Sequence, residues 1–312
     1  MKQDRRHFIK KSFLAFLGTL IVPKFLYADE DKNKNLIVQK PDITKWNDKE
    51  INIVWIGHST VLINLFGTTI LTDPVMLKRI GLNVLGLTFG PARILPPALI
   101  IDELPKPDMI LLSHAHFDHT DYPSLKKIAD KFPNEIEIIT AKQTKDVIYD
   151  LKWKSITVLD WQETVRIKDV KITAVETKHF GWRFPWEKDR SRGFLKAGRS
   201  YNAYLLEKNN KGILFGGDTA LTDKYEAIKE RNIHIAIMPI GAYNPWKDVH
   251  CNPEEALTMA ENIGAEYFIP IHCKTFKLGA EPYDEPIEWL NKSVKNYNLT
   301  LGLNVIGETF SL

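Results

Sequence analysis

Within six residues the chain places His114, His116, Asp118 and His119. Three imidazoles and a carboxylate at that density suit a divalent metal such as Zn, Fe, Ni or Cu, and without a cation they would repel one another or stay unpaired. One histidine alone is commonly a satisfied core residue, but core packing does not ask for four such side chains together. The flanking residues show what must hold them. Residues 109–112, Met-Ile-Leu-Leu, form a short continuous apolar run that fits a buried strand. In extended backbone, residues i and i+2 point the same way, so His114 and His116 can grip one ion from one side. Asp118 and His119 fall at the turn into a helix and can reach a second ion. Thr120 or Asp121 would cap that helix, with Pro123 in its first turn and Leu125 and Ile128 to bury.

Alternation and β-branched residues predict earlier strands over 52–56, 61–66 and 69–72, with turns at Gly57-His58 and Gly67. Asp73 ends the third of these before Pro74. Later strands are expected over 136–140, 155–159, 165–167 and 171–175, with a helix over 142–151. His179, Asp218 and His272 then arrive singly, each just after an apolar run. Taken alone, each is an ordinary residue. Gly216 and Gly217 would let the backbone turn close to a bound ion. Asn252, followed by Pro253 and by Glu255, reads as a helix start. Residues 78–97, rich in Gly and Pro among apolar side chains, read as a mobile or substrate-covering loop. Its Leu and Phe residues could touch lipid or an acyl chain, or pack on their own core.

The first 28 residues read as an address. Arg5 and Arg6 precede an apolar run over 13–22 and then Ala28, the pattern of a twin-arginine export signal. A basic amphipathic surface helix is the plainer alternative. The run is shorter than the roughly 20 residues a membrane-spanning helix needs. The expectation is therefore a periplasmic or cell-envelope protein handed to the twin-arginine machinery already folded, its leader either cleaved or kept as an anchor. That leader holds six basic residues and one acid, leaving 36 basic and 38 acidic residues, net −2, against +3 for the whole chain. Nucleic-acid binding loses its support, since it calls for clustered excess positive charge. Residues 29–49 form a polar lead-in, and 50–312 are of a size for one domain. The two cysteines, Cys251 and Cys273, allow one bridge or two free thiols.

The run H-x-H-x-D-H, at the end of an apolar strand and the start of a helix, resembles the signature of the metallo-β-lactamase fold. That resemblance implies an α/β (α+β) architecture, a four-layered αββα sandwich with a metal site at the sheet edge. It also implies that His114, His116 and His179 hold one metal, that Asp118, His119 and His272 hold another, and that Asp218 bridges them. Two divalent ions are expected, zinc first, with iron or manganese as alternatives. The resemblance places Asp73 behind the metal loop, where metal-bound imidazoles need partners that fix their tautomer; otherwise Asp73 is a turn residue. His58 would lie behind the metals, face substrate, or simply pack in its turn. The stretches Trp55-Ile56-Gly57-His58-Ser59-Thr60, Leu71-Thr72-Asp73-Pro74, Gly217-Asp218-Thr219, Met238-Pro239-Ile240-Gly241-Ala242-Tyr243 and Ile271-His272-Cys273-Lys274-Thr275-Phe276 resemble the N-acyl-phosphatidylethanolamine-hydrolysing phospholipase D family and its bacterial relatives, over about residues 50 to 285. Phe180 after His179 and Cys273 after His272 depart from that family, which tends to have Trp at both places.

A water shared by two cations would have its pKa lowered from 15.7 towards about 7, giving a hydroxide nucleophile at neutral pH, with Asp118 placed to receive or deliver a proton. The expected activity is phosphoric diester hydrolysis of a phospholipid-like substrate. A lactonase or other ester hydrolase is the alternative enzyme, and a metal-binding envelope interaction protein the alternative that is no enzyme. Between 180 and 204, Phe180, Trp182, Phe184, Trp186, Phe194, Tyr201 and Tyr204 interleave with Arg183, Arg190, Arg192, Lys196 and Arg199. An aromatic wall with cations suits an apolar tail and an anionic head. Phe180, Trp182, Arg199, Tyr201, Tyr243 and His250 are accordingly the substrate-binding candidates. A peripheral membrane contact and a homodimer are left open as partners.

Overall fold

The computed structural model describes residues 38–312. The export signal over 1–28, and the lead-in as far as residue 37, lie outside the described residues. The strands, in chain order, are β1 (Ile51–Gly57), β2 (Thr60–Leu65), β3 (Thr68–Thr72), β4 (Leu82–Val84), β5 (Leu87–Phe89), β6 (Met109–Leu112), β7 (Glu137–Ala141) and β8 (Ser155–Leu159). They continue as β9 (Thr164–Ile167), β10 (Val170–Glu176), β11 (Asn202–Lys208), β12 (Lys211–Phe215), β13 (Ile233–Pro239), β14 (Tyr267–Ile271), β15 (Thr300–Leu301) and β16 (Thr309–Ser311). One seven-stranded sheet has the order β16-β1-β2-β3-β6-β7-β8, and a second has the order β15-β14-β13-β12-β11-β10-β9.

Each sheet combines an antiparallel meander with a parallel half. In the first, β1, β2 and β3 pair antiparallel, whereas β3, β6, β7 and β8 run parallel. Phe66 and Gly67 link β2 to β3 with φ of 49° and 80°, the pair of positive φ values that a two-residue turn matched to strand twist demands. The helix Tyr122–Lys131 crosses from β6 to β7. Asp121 caps it by accepting from the Ser124 backbone N–H, so of the two expected caps the second is used. Its Leu125, Ile128 and Ala129 pack on Val54, Ile56, Leu71, Ile110 and Leu112. The intervening strand residues Ile53, Trp55, Ile70 and Leu111 point the other way and are fully buried too. That opposite face meets the second sheet, where the Tyr204 hydroxyl donates to the Leu112 carbonyl at 2.9 Å and the Asn202 N–H donates to the Ser113 carbonyl at 2.9 Å. The helix Pro253–Asn262, opened by the reciprocal Asn252–Glu255 cap, and the helix Glu285–Ser293 belong to the second half. The fold is a mixed α/β sandwich of two large sheets, as expected.

Two local expectations need correction, and one open alternative closes. The helix over 142–151 is only a 3-10 turn, Lys145–Val147. Arg199 takes the Gln143 carbonyl and the Asp146 carboxylate, and Gln143 itself has φ of 62°, so the backbone there serves a guanidinium instead of a helical ladder. The loop over 78–97 contains an ordered hairpin, β4–β5. Cys251 and Cys273 are both buried and unbridged.

Candidate metal centre

The C-terminal edges of β1, β3, β6, β10, β12 and β14 deliver the chemistry-bearing residues to one place. Asp73, at the end of β3, is fully buried and accepts from the Ser113 N–H at 2.8 Å, from the Ser113 hydroxyl at 2.6 Å and from His119 Nδ1 at 2.7 Å. Thr120 closes the loop, donating its hydroxyl to the His114 carbonyl at 2.6 Å and its N–H to the His116 carbonyl at 2.8 Å. Three imidazoles therefore have Nδ1 committed. His119 uses it on Asp73, His114 on the Ser113 hydroxyl at 2.9 Å, and His179 on the Val249 carbonyl at 2.8 Å. In the neutral imidazole these bonds fix the tautomer that leaves Nε2 a lone pair.

Two groups of donor atoms result, the atoms within each lying no more than 4.8 Å apart: His114, His116, His179 and Asp218 in one, and His58, Asp118, His119 and His272 in the other. In the first, His116 Nδ1 sits 2.7 Å from His114 Nε2 and 3.3 Å from His179 Nε2. Three nitrogens converging with at most one proton among them fit a cation. In the second, Asp118 Oδ2 is 3.6 Å from His119 Nε2 and 3.4 Å from His272 Nε2. Asp218 Oδ2 lies between the groups, 3.1 and 3.2 Å from the Nε2 atoms of His119 and His272, and 3.7 and 4.0 Å from those of His179 and His114. His119 Nε2, His272 Nε2 and Asp218 Oδ1 are buried with no hydrogen-bond partner among the described residues. Buried polar atoms are rarely left so, and the donor set of imidazole and carboxylate accounts for them as metal ligands.

Electrostatics divides the site. Burial, joined at His114 by neighbouring imidazoles, holds His114, His116 and His179 below the usual range, His116 at about 4. They are neutral donors. Burial also opposes charge on His119 and His272, but Asp218 and Asp118 outweigh it, lifting His119 well above its ordinary value and His272 to about 9. Burial would likewise raise both carboxylates, yet His119 and His272 hold them well below the carboxylate range. One half is a cluster of lone pairs and the other is carboxylate-rich; both attract a divalent ion.

Backbone geometry is specialised here. Gly217, with φ of 58°, brings Asp218 in so close that a Cβ would lie 2.8 Å from that of Ser113. His58 and His272 adopt φ of 54° and 62°, a conformation that costs energy for non-glycine residues and is found at functional sites. The two turns are tied together, His272 N–H donating to the His58 carbonyl at 3.1 Å. His58 Nε2 lies 3.1 Å from Asp118 Oδ2, which places it beside the cluster, not merely in its turn.

The substrate-binding candidates separate. The Phe180 ring lies 4.5 Å from that of His116 and 5.0 Å from that of Trp182, making an aromatic wall at the first group. Tyr201 and His179 line an open cleft of about 620 Å³. His250 sits closer to the chemistry than its sequence context suggests, with Nδ1 unpartnered and 3.8 Å from Asp218 Oδ2. Arg199 leaves the list: it is buried and spent on Glu187 and Asp146. Arg190 is likewise held by Asp160, and Arg183 by the Ala115 and Thr120 carbonyls, so these cations are not free for an anionic headgroup. Tyr243 donates to Glu285 at 2.6 Å. Sequence reasoning missed Ser113 and Arg183, both of which shape the metal loop; Ser113 directly precedes the first ligand, the one signal available, while contacts to backbone carbonyls leave none.

A sandwich of two sheets carrying this donor set at its strand ends defines a metal-dependent hydrolase of the metallo-β-lactamase fold. The family model described as the beta-lactamase superfamily domain matches residues 68–273, and the chain belongs to that family. It is 27% identical over 276 residues to an uncharacterized protein of Mycobacterium tuberculosis, covering 86% of this chain and 70% of that one. It is 30% identical over 258 residues to N-acyl-phosphatidylethanolamine-hydrolyzing phospholipase D 1 of Caenorhabditis elegans, covering 76% and 68%. Among solved structures, a metallo hydrolase from the archaeon Ignicoccus hospitalis superposes with a TM-score of 0.59 at 17% identity, over 84% of this chain and 98% of that one.

Proposed function

We propose that the protein is a dinuclear metal-dependent phosphodiesterase acting on a phospholipid-like substrate, with zinc the first choice of ion. The observation that carries the dinuclear reading is the position of Asp218 Oδ2, within 4.0 Å of imidazole nitrogens from both groups. Such ions, when bound, would supply Lewis acidity and lower the pKa of a bound water from 15.7 towards about 7. His114, His116 and His179 would hold one ion and Asp118, His119 and His272 the other, with Asp218 facing both groups. Asp118 also reaches His58 at 3.1 Å, so that imidazole can hold its carboxylate in place. His250, with a free nitrogen over Asp218, can hydrogen-bond a substrate oxygen held between the groups. Phe180 and Trp182 offer the apolar surface that an acyl chain needs. The phosphodiester reading draws support from the Caenorhabditis relative, whose name records hydrolysis of N-acyl-phosphatidylethanolamine. From the sequence we further infer export in folded form through the twin-arginine route.

Metal analysis of protein taken from its own compartment, followed by assay on phospholipids, bis(p-nitrophenyl) phosphate and simple lactones, tests this. Two ions per chain with diester turnover are expected. Turnover of lactones alone would move the assignment to an ester hydrolase, and one ion per chain would end the dinuclear reading.

A further inference from the structure

The hairpin β4–β5 presents an apolar face to water. In its register Leu82 pairs with Phe89 and Val84 with Leu87; directly opposed residues share a face, as do i and i+2. All four therefore lie on one side, with Leu85 at the tip. Leu85 is 99% exposed, Leu87 66% and Phe89 61%. The other side is polar, Asn83 donating to Thr88 at 3.1 Å. An isolated two-stranded hairpin is marginal in water, yet the base of this one is pinned. The Ile80 N–H donates to the Pro91 carbonyl at 3.2 Å, the Arg93 N–H to the Lys78 carbonyl at 2.8 Å, and Arg79 to the Gly90 carbonyl at 2.8 Å. Ile80 is buried with Val75 and Phe276. A Cβ at Gly81 or Gly90 would lie 2.1 or 2.2 Å from the opposite strand's carbonyl, so the glycines let the strands close at that base. Arg93 stacks over Phe276, whose ring meets His58 at 5.3 Å; the blade is rooted beside the candidate metal centre.

We propose that this hairpin inserts into the surface of an anionic lipid bilayer. Residues 74–101 contain no acid and three cations, Lys78, Arg79 and Arg93; Lys78 and Arg79 are exposed at the root of the blade. Apolar residues at a tip with cations behind them match acyl chains beneath negative headgroups. A second copy of the chain fits less well, because a stable interface takes about 20–30 residues a side and the blade offers eight, Leu82–Phe89. No helix among the described residues is long and apolar enough to cross a membrane. A blade of eight residues makes a peripheral contact of its own, and that contact stands independently of what the metal centre hydrolyses.

The test uses the full metal-loaded chain with vesicles of phosphatidylglycerol and phosphatidylcholine, or of phosphatidylcholine alone. Cys251 and Cys273 are buried, so Leu85→Cys can be labelled selectively with an environment-sensitive dye. Dye emission should rise and shift to the blue on anionic vesicles, and less so at high salt. Adding Leu87→Asp and Phe89→Asp to the labelled variant should weaken that response about tenfold or more, with hydrolysis of a soluble diester and the melting temperature unchanged. An unshifted dye, a response indifferent to the two aspartates, or a solution dimer that the aspartates dissociate would each overturn the proposal. Vesicle insertion without phospholipid turnover would leave docking intact and count against the phosphodiesterase reading alone.

Discussion

Arg183 donates through one guanidinium nitrogen to the Ala115 carbonyl at 2.6 Å, and the same nitrogen reaches the Thr120 carbonyl at 2.9 Å. A residue of the aromatic segment thereby holds the loop that carries four candidate ligands, while its guanidinium stacks over Phe117 at 3.9 Å. Arg183→Ala should lower metal affinity about 10–100-fold, the range for losing a group that orients ligands. Chelator competition followed by metal analysis measures this, and Arg183→Lys should restore part of the loss. Affinity unchanged in the alanine variant would refute the positioning role.

Asp73 anchors the same loop from the opposite side, through Ser113 and His119. Asp73→Ala takes the acceptor from three buried donors, the Ser113 N–H, the Ser113 hydroxyl and His119 Nδ1, at about 1–3 kcal/mol for each one left unpaired. Reduced thermal stability together with weaker metal retention is expected; a loss of stability with metal retention untouched would mean that Asp73 braces the fold but does not orient His119.

Asp218→Ala should remove more metal than any other single ligand change, because its Oδ2 faces both groups. The measurable outcome is ions bound per chain. Dialysis against a chelator should abolish hydrolysis of a soluble diester, and returning zinc should restore it. Hydrolysis that survives complete metal removal contradicts the proposed chemistry.

Arg199 is assigned to the frame and not to substrate. Breaking a buried ion pair costs about 3–5 kcal/mol, and the partial exposure of Asp146 and Glu187 puts Arg199→Ala near the lower end. Denaturant titration should show that drop while KM for an anionic substrate stays level. A raised KM at wild-type stability would return Arg199 to the pocket.

Cys251 and Cys273 should both react with maleimide after unfolding, without prior reduction, even in protein recovered from an oxidising compartment. A mass two hydrogens lighter, with no reactive thiols, would show a bridge instead.

The metal loop was legible because its ligands are crowded within six residues, where no packing argument competes. The later ligands were legible only through their places after apolar runs and through family likeness. His58 and His272 in left-handed backbone were not, since nothing in their neighbours demands a positive φ. The failed helix over 142–151 shows the limit of local reading: its residues favour helix, but Arg199, over fifty positions later, claims their carbonyl and carboxylate. In the same way Arg190 and Arg199 looked available for a headgroup until Asp160, Glu187 and Asp146 were seen to occupy them.

The donor set comes from both halves of the sandwich: His114 to His119 from the strand end of the first sheet, and His179, Asp218 and His272 from those of the second. Any ion held there works as a rivet through the seam. Its occupancy adds to the work of prising the halves apart, by about 2.7 kcal/mol at a hundredfold excess over Kd. A cell short of metal would then hold less of the folded protein as well as less activity, so that metal supply bears on abundance as well as turnover.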